Sequence, residues 1–210
     1  MPPIAFRLQL ITDRSLVRGA SLATVLRAAV DAGVPAIQLR ERDLPTRPLL
    51  TLAEEIRSMT KSRGIALLIN DRVDLAEALD LDGVHLRASS LPVSVARRLV
   101  GSRRILGVSA HSIEEVRRAS GEGADYVIVG PVYDTSSKRQ YGAPLGLDRL
   151  ADAVQSSSVP VFAIGGITRE RVQDVRRAGA FGVALIGGIL GRDDVSVATQ
   201  EMLAALRDAM

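Results

Sequence analysis

Eight short apolar runs recur along the chain, at 8–12, 36–40, 65–70, 83–86, 105–108, 126–130, 159–164 and 182–186. Between them lie segments with apolar residues at helical spacing, such as Leu22, Val25, Leu26 and Ala29, or Leu49, Leu52, Ala53 and Ile56. Strands that alternate with helices call for right-handed crossovers and a parallel sheet. Eight such units and no ninth strand fit a closed (β/α)8 TIM barrel better than an open doubly wound sheet. The 210 residues suit one domain, with no linker or low-complexity segment to divide 1–210.

The joints carry helix-terminus chemistry. Gly33, Gly123 and Gly179 each stand where a helix should stop before the next strand, because glycine enters the left-handed cap conformation at little cost. Ser112 with Glu115 fits a capping box, and Thr168 before Arg169-Glu170 fits an N-cap with an acid in the first turn.

Composition removes several function classes. With no cysteine, disulfides, thiolate metal sites and a cysteine nucleophile are excluded. Charged residues are 24% and hydrophobic residues 47%, and no apolar run approaches the roughly 20 residues that cross a bilayer, so no membrane partner is expected. Nothing near Met1 reads as a signal peptide, and a cytoplasmic location is the expectation. The net charge of +3, carried mostly by arginine, suits anionic ligands. Aromatics are only 3%, too few for a base-stacking platform, which argues against nucleic acid. Arg97-Arg98, Arg103-Arg104 and Arg176-Arg177 read as solvated helix faces.

In this class of barrel the active site lies at the carboxyl ends of the strands, and that rule selects residues. The candidates are Gln38, Arg40 and Arg42 after the second run, Asn70 and Asp71 after the third, and His85 at the end of the fourth. Ser109 and His111 follow the fifth, Tyr133, Thr135, Ser137 and Lys138 the sixth, Gly165-Gly166 the seventh and Gly187-Gly188 the eighth. Paired glycines after the last two strands match a phosphate cradle of backbone amides, the alternative being two tight turns. Gln38, Arg40 and Arg42 alternate, so on an extended segment all three would face the barrel mouth and could hold a diphosphate. The alternative is a solvated strand end with a salt bridge from Glu41 or Asp43. His85 reads as a histidine satisfied by hydrogen bonds, since no second histidine lies at ligand spacing.

Gln38-Leu39-Arg40-Glu41-Arg42, Asn70-Asp71-Arg72-Val73-Asp74 and Gly83-Val84-His85-Leu86 recur in order with the 130–138 and 163–168 segments. In these blocks, over nearly its whole length, the chain resembles the thiamine-phosphate synthases and their thiazole tautomerase relatives. The resemblance implies transfer of an aminopyrimidine from its diphosphate to a thiazole phosphate, with small phosphorylated substrates and a possible homodimer. Tautomerisation of the thiazole, or a barrel that binds phosphate without catalysis, are the alternatives. It implies diphosphate contacts from Arg40 and Lys138 as catalytic groups. Gln38, Arg42, Asn70, Ser109, Thr135 and Ser137 would bind substrate, Gly165, Gly166, Gly187 and Gly188 would hold the thiazole phosphate, and Mg2+ would sit on Asp71.

The chain departs from the pattern at three places. Arg42 replaces a lysine, Gly187 replaces a serine, and Ser90 stands where a second metal-binding aspartate is usual, in Arg87-Ala88-Ser89-Ser90. For the last, three outcomes are open: a metal held by Asp71 and diphosphate alone, Arg87 in part of its electrostatic role, or loss of the synthase reaction.

Overall fold

The computed structural model describes residues 4–135 and 143–209. Eight parallel strands close into a barrel in chain order. They are β1 Leu8–Ile11, β2 Ala36–Leu39, β3 Ala66–Asn70, β4 Gly83–Leu86, β5 Ile105–Ala110, β6 Tyr126–Val129, β7 Val161–Ile164 and β8 Gly182–Leu185. The helices are α1 Leu22–Asp31, α2 Thr46–Lys61, α3 Val73–Ala78, α4 Val93–Val100, α5 Ile113–Gly121, α6 Gly146–Gln155, α7 Val172–Arg177, α8 Gly187–Leu190 and α9 Val195–Asp208. This is the (β/α)8 barrel that the alternation of runs leads to.

Period-two alternation along each strand sorts residues into two cores. Leu8, Leu10, Ile37, Leu39, Leu67 and Ile69 face outward and pack beneath the helices with Leu26, Ala53 and Ile56. The inward positions make a second, smaller cluster of Phe6, Ile11, Ala36, Leu68, Tyr126, Ile128, Phe162 and Ala184. Room for its rings comes from missing side chains: a Cβ on Gly107 would lie 2.2 Å from the Tyr126 ring, and one on Gly182 would lie 2.7 Å from the Phe162 ring. Glycine in these two strands is a packing requirement, since strand propensity alone disfavours it.

Helix termini follow the local chemistry for the most part. Gly33, Gly123 and Gly179 have φ of 90°, 103° and 92°. Ser112 Oγ accepts from the Glu115 amide, while Glu115 returns its bond to the amide of His111, one residue before the position a capping box uses. Thr168 makes no side-chain cap bond at the 3-10 turn Arg169–Arg171 that opens the segment; its hydroxyl bonds Glu170 instead.

Several arginines expected on solvated faces are instead structural clasps at the amino ends of the strands. Arg97 pairs with the buried Asp125 at 2.5 Å, and the same carboxylate oxygen accepts from the Leu106 amide. Arg57 and Asp82 repeat the arrangement with the Leu67 amide. Arg104 is buried against Glu77 at 2.5 Å, and Arg176 donates to the carbonyls of Ala180 and Phe181. Each ties a helix to a strand start, where a lone arginine or aspartate would be costly to bury.

Candidate functional site

The carboxyl ends of the strands gather the polar side chains into one connected set. The inward residues of the upper strand turns are Gln9, Gln38, Asn70, His85 and Ser109, with the Tyr126 hydroxyl rising among them. Gln38 is fully enclosed, and Ser109 lies on β5 itself, which runs two residues further than its apolar run. β2, by contrast, ends at Leu39; Arg40 leaves the strand half-buried and Arg42 falls in an exposed turn, so the three residues do not alternate on one extended face.

The polarity of this set follows from its one anionic end. Asp71 can only accept, so Asn70 must present Nδ2 to it, at 2.9 Å, and keep Oδ1 for Gln38 Nε2 at 3.3 Å. Gln38 Oε1 then accepts from Gln9 Nε2 at 3.2 Å, and Gln9 Nε2 also donates to the Tyr126 hydroxyl at 2.9 Å. The tyrosine proton is left to point at His85 Nδ1, 3.1 Å away, which puts the histidine proton on Nε2, facing Ser109 Oγ at 2.9 Å. The Ser109 hydroxyl, accepting from His85, has its own proton to offer at the rim. Burial, with a smaller contribution from Arg40, holds His85 down to about 3 against the pull of Asp71, so it is neutral. Burial likewise raises Tyr126 well above the usual phenol value.

Asp71 sits on a left-handed bend, φ 61°, a conformation aspartate tolerates better than most residues. Its amide donates to the His85 carbonyl at 3.0 Å, which hooks the end of β3 over β4. Oδ1 accepts from Ser90 Oγ and from the Arg87 amide at 3.2 Å; Oδ2 accepts from Arg87 Nε at 2.5 Å as well as from Asn70. Burial pushes this carboxyl up, but the bonds from Ser90 and Arg87 outweigh it and hold it below the usual range. Four donors fill the roughly four lone-pair sites of a carboxylate. Magnesium takes one or two carboxylates with further oxygens, and Ser90 is itself turned inward as a donor to Asp71. Among the described residues no group of three or more histidine, aspartate or glutamate side chains could hold a metal. As arranged, these residues do not fit a magnesium ion.

The acids near β2 are spoken for elsewhere. Arg14 takes Glu41 at 3.3 Å and Asp43 at 2.5 Å. No hydrogen bond or ion pair joins the Arg40 guanidinium to any described residue, and burial, then the neighbouring Arg42, lowers its pKa. A half-buried guanidinium with no partner is a place for an anion.

Further round the rim, after β7 and β8, lie the glycine loops. Gly165 and Gly166 have φ of 98° and 64°, and a Cβ on either would strike Pro131 or the Asp134 carbonyl within 2.7 Å. Tight packing of the segment after β6 therefore requires these two glycines, whatever they bind. Gly187 and Gly188 open α8 with no such crowding: an added Cβ would meet only Leu16 at 3.6 Å or Ile167 and Leu185 at 3.5 Å. Outside the ladder bonds of β7 and β8, none of the four amides donates to a described backbone carbonyl. Because β7 and β8 are paired neighbours, both glycine pairs lie on one sector of the rim. Arg171 braces this sector, bonding the Gly166 carbonyl at 2.7 Å and lying 4.4 Å over the Tyr133 ring. His111 fastens the neighbouring loop by donating from Nδ1 to the Gly130 carbonyl at 2.8 Å. Thr135 is half-buried at the end of the described segment, and Ser137 and Lys138 lie outside the described residues.

A barrel with an arginine unpaired among the described residues and glycine loops on the same rim is common to many phosphate-handling proteins, and sequence comparison decides among them. A family model described as thiamine monophosphate synthase matches residues 8–189. The chain belongs to the thiamine monophosphate synthase family. It is 43% identical to the thiamine-phosphate synthase of Chloroflexus aurantiacus, covering 96% of this chain and 93% of that one. Identity to the thiamine-phosphate synthase of Clostridium novyi is 38%, over 95% and 98%. Among solved structures, the thiamine phosphate pyrophosphorylase of Pyrococcus furiosus superposes with a TM-score of 0.88 at 34% identity, over 97% of this chain and 96% of that one.

Gln9 and Tyr126 were not among the residues singled out from the sequence for this rim. Gln9 had a usable signal, a lone amide inside the apolar run Leu8–Ile11. Tyr126 had none, since its position at a strand start looks like ordinary core.

Proposed function

We infer that the chain is a transferase, a thiamine-phosphate synthase that joins hydroxymethylpyrimidine diphosphate to thiazole phosphate with release of diphosphate. The observation that supports this most strongly is the presence, on one rim, of the Arg40 guanidinium, which has no partner among the described residues, and of the glycine loops after β7 and β8. Two phosphorylated substrates need two anion sites, and these lie at different strands of one rim, in a chain of the thiamine monophosphate synthase family.

The reaction breaks the bond between the pyrimidine methylene carbon and the diphosphate oxygen, whose electron pair leaves with the diphosphate. The thiazole nitrogen supplies its lone pair to the same carbon. No proton has to move, so the chemistry asks for stabilisation of the leaving anion and alignment of the nucleophile. Arg40, with Arg42 beside it and Lys138 from the segment after β6, supplies positive charge to the leaving group. The glycine amides hold the thiazole phosphate, and Ser109, with its proton directed outward by His85, orients a polar group of the bound substrates. His85 is neutral with both nitrogens engaged and acts through Ser109 as a positioning residue.

Calorimetric titration tests the two-site arrangement. Thiazole phosphate should bind with one affinity whether or not inorganic diphosphate is present. Competition between them would mean a single anion site and would overturn a two-substrate transfer.

A further inference from the structure

The contacts that saturate Asp71 also set the direction of Arg87. Its Nε is held by Asp71, while no described residue accepts from its terminal nitrogens, and the side chain is 44% exposed at the rim. Hydrogen bonds through Asp71 and Asn70 link Arg87 to Gln38 on β2, two residues before Arg40, on which the charges of Arg42, Asp13, Glu41 and, least, Arg87 act. Two of the nearby acids, Glu41 and Asp43, are paired to Arg14. Asp71 fixes the position of Arg87 and offsets only one of the three positive charges. A guanidinium held by one edge still presents donors on the other, the geometry suited to phosphate oxygens.

We propose that Arg87, fixed on Asp71, takes the place of a divalent ion and forms with Arg40 and Arg42 a metal-independent site for a diphosphate. The identity of that diphosphate as the leaving group rests on the synthase reading above. Charge on the departing oxygens is met by hydrogen bonds from the three arginines, which keep their protons throughout. Ser90 fits this role better than an aspartate would: its hydroxyl donates to Asp71 Oδ1 and holds the carboxylate towards Arg87, whereas a second carboxylate would repel it.

The test is calorimetry of the full chain with inorganic diphosphate, in excess chelator and in excess magnesium. The parent should bind saturably in chelator, and magnesium chloride alone should give no binding heat. Arg87→Gln should weaken chelator-phase binding by about 10-fold or more, the loss of a charge-assisted contact. Because that variant releases Asp71 oxygens, magnesium should restore part of its diphosphate affinity. Arg87→Lys, which keeps a charge beside Asp71 and so protects the fold, should also bind more weakly in chelator for want of the second donor edge. Parent binding that requires magnesium, or either variant binding as tightly as the parent in chelator, overturns the proposal. Metal-free diphosphate binding by a protein that makes no thiamine phosphate would keep this site and remove the synthase reading. Thiamine phosphate made only with magnesium, by protein that binds no diphosphate in chelator, would do the reverse.

Discussion

The Tyr126 hydroxyl donates to His85 Nδ1 across 3.1 Å inside the barrel, and this bond fixes which histidine nitrogen carries the proton. The expected tautomer has hydrogen on Nε2, which nitrogen-15 shifts of labelled protein report directly. Tyr126→Phe leaves Nδ1 buried without a donor and should destabilise the fold by about 1–3 kcal/mol in denaturant titration. A stability equal to the parent's would show that the Tyr126 bond contributes nothing.

His85 also gives the fold a pH dependence with a definite sign. Its folded pKa, about 3, lies below the unfolded value near 6.5, so the unfolded chain binds the proton first as pH falls. The histidine contribution is therefore complete above pH ~6.5 and declines between there and ~3, at up to ~1.4 kcal/mol per pH unit. Asp71, whose pKa is lowered, adds a loss at the acid end of the same range. Parent and Tyr126→Phe melted from pH 7 to 4 should both show the decline. A flat parent profile would mean His85 is charged in the fold.

The two glycine pairs call for different substitutions. Gly166→Ala places a side chain at φ 64° with its Cβ 2.7 Å from the Asp134 carbonyl and should cost about 2–4 kcal/mol of stability, which makes it a poor probe of phosphate binding. Gly187 has ordinary φ and open space. Gly187→Ser should change stability by only about 0.5 kcal/mol and tighten thiazole phosphate binding through one added hydroxyl. Weaker binding by a stable Gly187→Ser would place the phosphate elsewhere.

Arg40 should matter more to turnover than to stability, because no described residue depends on its guanidinium. Arg40→Ala should lower kcat by about 100-fold or more while the melting temperature holds, and Lys138→Ala should act in the same direction. Steady-state rates of the two variants beside the parent check this; unchanged kcat in both removes them from the mechanism.

The barrel was legible in the sequence because its cause is local. Leu8 and Leu10, or Leu67 and Ile69, alternate as strands must, and Gly33, Gly123 and Gly179 mark the helix ends with a conformation few other residues enter. What the sequence hides is pairing between distant segments. Nothing near Asp125 shows that Arg97 will reach it, and nothing near Asp71 shows that Arg87 and Ser90 will consume its oxygens. The alternation of Gln38, Arg40 and Arg42 was visible, but the point at which β2 stops is set by the turn that follows, so neither arginine lies on the strand that carries Gln38. The rim residues could be nominated by their position after each strand; their protonation and direction required the closed ring of hydrogen bonds.

The most direct measurement is product analysis with the purified full chain and both substrates together. Thiamine phosphate and diphosphate should form in equal amounts, and neither should form when either substrate is left out. If no thiamine phosphate forms while both substrates bind, or if thiazole phosphate rearranges without the pyrimidine, the transfer assignment is wrong.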